Sequence, residues 1–208
     1  MTSIGVAAGV ASEDIAGSPE FRHLSTIDGI AVDLRYATSN NFVGRDLYSP
    51  FDCAWLHRDA AAALENVVAW LARERPGYTA LVLDALRPQR VQEQLWNALA
   101  GTGLQMYLAN PERGSIHSYG MALDITLLDE AGAELDMGTG FDDMTELSHP
   151  ALEEGFLAAG RLTSEQVANR RLLRSGMLQA GFLGINTEWW HFDCGDRDRV
   201  RATFRRVL

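Results

Sequence analysis

Residues 57–75 constrain this chain more than any other segment. Ala61, Leu64, Val67, Val68 and Leu71 fall on one stripe at helical spacing, and Pro76-Gly77 stops the pattern. An apolar run of strand type follows at once over residues 79–84, so helix and sheet must share a core.

The remaining elements decide which kind of sheet. Residues 29–36 alternate, with Ile30, Val32, Leu34 and Tyr36 on one face, and residues 121–128 alternate again. Residues 37–52, rich in Asn, Ser, Gly, Asp and Pro, read as an irregular loop, and residues 104–115 as another. Pro88 suits a first helical position, and that helix runs through Leu99 to Gly101. A turn at residues 129–134 leads to a short strand around Leu135. Thr163 with Gln166 three residues on is a capping box opening the last clear helix, which Gly181 closes. Residues 188–193 read as a strand. The order β, α, β, α, β, β, α, β lacks the regular alternation of a doubly wound sheet. The expectation is an α+β fold, with helices packed against a mostly antiparallel central sheet.

With 208 residues and 47% hydrophobic side chains, one domain over residues 21–208 is expected, preceded by an N-terminal tail over residues 1–20. The N-terminus lacks a charged stretch followed by a greasy one, and no run approaches membrane-span length, which points to a soluble cytoplasmic protein. The net charge of −10 repels phosphate backbones and anionic lipid heads, so neither nucleic acid nor membrane is an expected partner. Arg197, Arg199, Arg201, Arg205 and Arg206 are interleaved with Asp196 and Asp198 and read as a solvated C-terminal face. Cys53 and Cys194 are two thiols or one long-range bridge. The oligomeric state is open, a homodimer included.

Two strings carry chemistry. In the first, Ser115 to Asp124, His117 lies in a polar loop and Asp124 lies on the following strand, opposite the row Leu123, Ile125 and Leu127. Gly120 lets the loop turn back, so the imidazole can approach the carboxylate. In the second, Glu188-Trp189-Trp190-His191, His191 can be a third ligand and Glu188 a free carboxylate. Positions 188 and 191 face opposite ways in a straight strand, so Glu188 is expected at the strand's entrance. Two imidazoles and a carboxylate suit zinc, and a nearby carboxylate suits the proton transfers of hydrolysis. Each string alone could equally be a surface histidine or a satisfied polar residue. Arg87, directly before Pro88, is a poor N-cap and reads as a guanidinium aimed into the site to stabilise an oxyanion. The competing reading is a surface salt bridge with Asp84 or Glu93.

At these residues the chain resembles the VanX-type D-alanyl-D-alanine dipeptidases, within the zinc D,D-peptidases. The family's Ser-x-His-x-x-Gly-x-Ala-x-Asp string is matched from Ser115 to Asp124, and its Glu-Trp-Trp-His at Glu188 to His191. Weaker matches are Tyr36-Ala37-Thr38, Asn41-Phe42, Asp84-x-x-Arg87-Pro88, Asp136-Met137-Gly138 and Phe141-Asp142, all in the same order over residues 28–192. The resemblance implies one zinc per chain on His117, Asp124 and His191, with Glu188 as general base and Arg87 stabilising the tetrahedral intermediate. It also implies Ser115 and Asp142 in the pocket of a small D,D-dipeptide, Asp142 near the substrate's ammonium group. Leu86 and Tyr119 depart from the family pattern, which usually has an aromatic and a basic residue there. The alternative within the same fold is a D,D-carboxypeptidase or murein endopeptidase acting on stem peptides.

Overall fold

The computed structural model describes residues 9–208. In chain order its elements are β1 (Phe21–His23), β2 (Ile30–Val32), β3 (Trp55–His57), α1 (Arg58–Glu74), β4 (Thr79–Asp84), α2 (Gln89–Ala98), β5 (Ala122–Leu128), α3 (Glu153–Ala158), α4 (Ser164–Gln179), β6 (Phe182–Gly184), β7 (His191–Cys194) and α5 (Arg197–Thr203). Five strands form one sheet in the order β2-β4-β5-β7-β6, and β1 pairs with β3 in a separate ribbon. Among the strands described, β2 and β4 run parallel and the other strand pairs are antiparallel. The fold is α+β, as the element order implies.

The apolar stripe of α1 closes one face of the sheet. Ala61, Leu64, Val67 and Leu71 share a core with Ala80 and Val82 of β4 and with Leu123, Ile125 and Leu127 of β5. Helix α4 adds Leu173 and Met177 to that core. The two helices approach closely at Gly176, where a Cβ would stand 2.8 Å from the Trp70 ring. Local signals set these boundaries. The His57 ring accepts the Asp59 N–H at the start of α1, and Thr163 and Gln166 form the reciprocal capping box of α4.

Several boundaries differ from the sequence reading. The alternation over residues 29–36 yields only three strand residues. Asp33 still donates to Val82, but the chain then tightens into a helical turn over Arg35–Ala37 and carries Tyr36 into a second apolar cluster with Leu47, Tyr48, Cys53, Val91 and Leu95. Residues 38–52 form no helix or strand; the Asn41 amide holds them by donating to the carbonyls of Arg35, Thr38 and Arg45. The strand expected near Leu135 is a single bridge between Leu128 and Glu134. The second string forms a strand only from His191 onward.

Part of the stretch expected as an N-terminal tail packs against the rest of the chain. Residues 1–8 lie outside the described ones, but Val10 and Ile15 are buried with Phe21, Leu86 and Val207, and Val10 bridges Val207 in parallel. A third apolar cluster thus joins Val10 and Ile15 to Val207 near the C-terminus. The basic C-terminal residues are also tied in. Arg197 bonds Asp193, Arg201 bonds Asp198 and the Gly114 carbonyl, and Arg206 stacks on Tyr119. Cys53 and Cys194 are both free thiols. No helix among the described residues is long and apolar enough to cross a membrane.

Candidate metal centre and active site

The site lies on the sheet face turned away from Leu123, Ile125 and Leu127, where strand pairing alone brings several polar groups together. Asp124 on β5 stands directly opposite His191 on β7. On the other side of β5, the register with β4 shifts between Val82 and Asp84, so that Asp84 also pairs with Asp124. Without the shift Asp84 would point, like Val82, into the apolar core. The extra residue turns its carboxylate to the polar face, a common use of a bulge beside a site.

His117 arrives from a different element, the helical turn Ile116–Tyr119. Gly120 ends that turn with φ +64°, and a Cβ there would lie 2.6 Å from the His57 backbone nitrogen. Only glycine fits both conditions. The turn therefore packs against the start of α1 and aims His117 back at β5.

Three acceptors then converge. His117 Nδ1 donates to the Ala85 carbonyl at 2.8 Å, which leaves Nε2 as a lone pair. His191 Nε2 lies 3.0 Å from an Asp193 oxygen, which leaves Nδ1 as a lone pair. Those two nitrogens are 3.1 Å apart, and Asp124 Oδ1 stands 3.0 Å from His191 Nδ1 and 3.4 Å from His117 Nε2. Lone pairs this close repel unless a cation lies among them. A tetrahedral metal with bonds of roughly 2.0–2.2 Å sets its donor atoms about 3.3 Å apart, so the donors fit one. These same residues form the cluster of ligand-type side chains able to hold a metal among the described residues. With no metal, a proton serves. Burial lowers the His191 pKa, but Asp193 and Asp124 outweigh it and hold the ring at about 10. Burial likewise works against the Asp124 carboxylate, yet the two imidazoles keep its pKa well below the usual range.

Arg87 is buried behind this centre. It sits one residue before the cap of α2, because Pro88 is the cap rather than the first helical residue. Its guanidinium donates to Asp84 at 2.6 and 2.9 Å, to Gln92 at 3.1 Å and to Asp124 at 3.2 Å. The pairing with Asp84 weighed from the sequence is present, but as an ion pair inside the protein. Asp84 is held in turn by Tyr48 and by the Ala85 N–H.

Glu188 stands in the loop before β7, at the strand's entrance as expected. Trp189 and Trp190 on its C-terminal side are buried; the Trp189 indole donates to Thr139, and Trp190 packs edge-on against Phe141. Burial pushes the Glu188 carboxyl up to about 7; Asp124 adds to this, while His191 and Arg87 oppose it. Asp142 sits in the connection between β5 and α3 with φ +61°, and its Oδ1 accepts the Tyr36 hydroxyl at 2.9 Å. Its Oδ2 is buried with no partner, and burial pushes the carboxyl up to about 8 against the Tyr36 hydrogen bond. The Asp136-Met137-Gly138 turn docks this loop on α4, through Gln166 to Asp136 and Arg170 to the Met137 carbonyl.

A cavity of about 500 Å³ connects these groups, with His117, Asp124, His191, Glu188, Arg87, Asp142 and Ser115 on its walls. The structure thus brings all seven residues singled out in the sequence to one space. It also adds Tyr36 and Asp193. Tyr36 was marked by its motif but read as part of a strand; Asp193 had no signal beyond its position two residues after His191. The departures at Leu86 and Tyr119 do not line the cavity. Leu86 belongs to the cluster with Val10 and Val207, and the Tyr119 hydroxyl accepts from Arg206 at 3.1 Å.

Known proteins point to one family. A family model described as D-ala-D-ala dipeptidase, in the M15 peptidases, matches residues 20–207. A D-alanyl-D-alanine dipeptidase of Escherichia coli (strain K12) is 39% identical over 164 residues, covering 79% of this chain and 78% of that protein. One from Enterococcus faecium is 32% identical over 199 residues, covering 86% of this chain and 92% of its own length. The match spans every strand and helix that builds the site, and the chain belongs to the D-ala-D-ala dipeptidase family of M15 peptidases.

Proposed function

We propose that this chain is a zinc-dependent dipeptidase that hydrolyses D-alanyl-D-alanine to two D-alanines. The observation that carries the reading is the convergence of the His117 Nε2, His191 Nδ1 and Asp124 Oδ1 lone pairs on one point, with a free carboxylate on the same cavity. The names of the relatives supply the substrate.

When bound, zinc acts as a Lewis acid and lowers the pKa of water toward 7. Glu188, with its carboxyl raised to about 7, accepts the proton of the attacking water and returns it to the leaving amine. Arg87 keeps its charge in the buried wall and faces the oxygen that gains charge as the peptide carbonyl is attacked. The unpartnered Asp142 Oδ2 receives the substrate's ammonium group, while Tyr36 holds the other oxygen. An ammonium brought here supplies the missing counter-charge, so the pocket selects a free N-terminus. Ser115 lines the same pocket.

The test is zinc content measured with D-alanine release from D-alanyl-D-alanine, L-alanyl-L-alanine serving as control. One zinc per chain and chelator-sensitive release from the D,D substrate alone support the reading. Release of D-alanine from a pentapeptide stem at a comparable rate overturns it in favour of a carboxypeptidase. Absence of zinc after reconstitution overturns the metal chemistry.

A further inference from the structure

We propose that Asp193, anchored by Arg197, is the positioning residue that fixes the ring of His191 for metal binding. The inference rests on the reading of His117, Asp124 and His191 as metal ligands, and concerns a carboxylate outside that set.

Residues 191 and 193 alternate on β7, so their side chains leave the strand on the same face. Across the strand pair, Asp193 stands opposite Ala122, as Asp124 stands opposite His191. Asp193 Oδ1 lies 3.0 Å from His191 Nε2, the nitrogen that points away from Asp124 and His117. Accepting the Nε2 proton fixes the tautomer, leaves Nδ1 free for the metal and stops the ring from turning about its own axis. A carboxylate in this place also makes the imidazole a stronger donor.

The two histidines are therefore held differently. His117 is backed by a neutral carbonyl, that of Ala85, and His191 by a charge. That charge is only 2% exposed, and a buried carboxylate persists when paired. Its second oxygen accepts both Nε and Nη2 of Arg197 at 2.5 Å. Arg197 opens α5, whose N-cap Asp196 accepts the Arg199 N–H at 2.8 Å, so the anchor rises from an ordered turn. The side chain of Arg197 is about half exposed, so removing it leaves little empty volume.

A buried pair that merely held α5 to the sheet would have the same distances, so the test reads the metal. Zinc affinity is measured by competition with a chromogenic chelator, and the ligand field by the visible spectrum of the cobalt(II) form. The parent is compared with Asp193→Ala, Asp193→Asn and Arg197→Ala. Asp193→Ala loses about 10- to 100-fold in zinc affinity, with a changed cobalt spectrum. Asp193→Asn, which keeps an acceptor and loses the charge, falls between it and the parent, and Arg197→Ala shifts in the same direction by less. If Asp193→Ala does not fold, the other two variants carry the comparison. Folded variants with the parent's affinity and spectrum overturn the positioning role and leave the metal reading intact. A parent that binds no zinc overturns both.

Discussion

Asp84 and Asp124 stand opposite each other on β4 and β5, two carboxylates on one polar face, and the Arg87 guanidinium bonds both. The register shift between Val82 and Asp84 creates this pairing. Arg87 is therefore the counter-ion of two buried acids as well as a wall of the cavity. Arg87→Met leaves both without it, and loss of one partner from a buried pair costs about 3–5 kcal/mol. Urea unfolding of the metal-free protein should show a loss of that order. Turnover should fall on the order of 10²- to 10³-fold from the missing oxyanion partner. A stability change under about 1 kcal/mol would contradict the counter-ion role.

Glu188→Gln keeps the shape of the side chain and removes its ability to take a proton. Glu188 lies outside the His117, Asp124 and His191 cluster and lines the same cavity from the loop before β7. The expected variant binds zinc like the parent and loses about 10²- to 10⁴-fold in kcat. A variant with parental kcat and full zinc content removes Glu188 from the mechanism.

Burial raises the Asp142 carboxyl to about 8, far above the roughly 3.9 of an unfolded chain. Between these values the folded state holds a proton that the unfolded state has released, so stability falls as pH rises through about 4 to 8. Glu188, raised to about 7, contributes in the same direction. Asn tolerates the φ of +61° at this position. Metal-free Asp142→Asn should thus lose less stability than the parent between pH 5 and 8. It should also be the more stable of the two at pH 8, because the amide buries no charge where the ionised carboxylate does. Its KM for D-alanyl-D-alanine should rise sharply. Melting temperatures across that pH range check the first part; parallel curves for the two proteins contradict it.

Gly120→Ala forces a side chain into a left-handed residue whose Cβ would meet the backbone of Leu56 and His57. The backbone conformation alone costs about 1–2 kcal/mol, and the clash adds to it. Because the same turn carries His117, zinc affinity should fall together with stability. Titration with zinc alongside thermal unfolding tests the coupling; a stable variant with parental affinity shows that the turn can move without the ligand.

Much of this protein could be read locally. The stripe and stop of α1, the capping box of α4 and the apolar run of β4 are signals between residues a few positions apart, and each element forms where they point. The strings around His117 and Glu188 were legible for the same reason, since a glycine turn and a strand entrance set their geometry within ten residues. Other features depend on partners far along the chain. Tyr36 left its expected strand because a cluster with Tyr48, Val91 and Leu95 buries it better than a sheet edge does. Val10 left its expected tail because Val207 and Ile15 give it a core. The shift that turns Asp84 toward Asp124, and the pairing that sets Asp193 behind His191, exist only once strands meet in register. Helix stripes and caps arise from chemistry within a turn or two, so one stretch of chain suffices to specify them. Which carboxylate faces which imidazole depends on strand register, and register is set by the packing of the whole sheet.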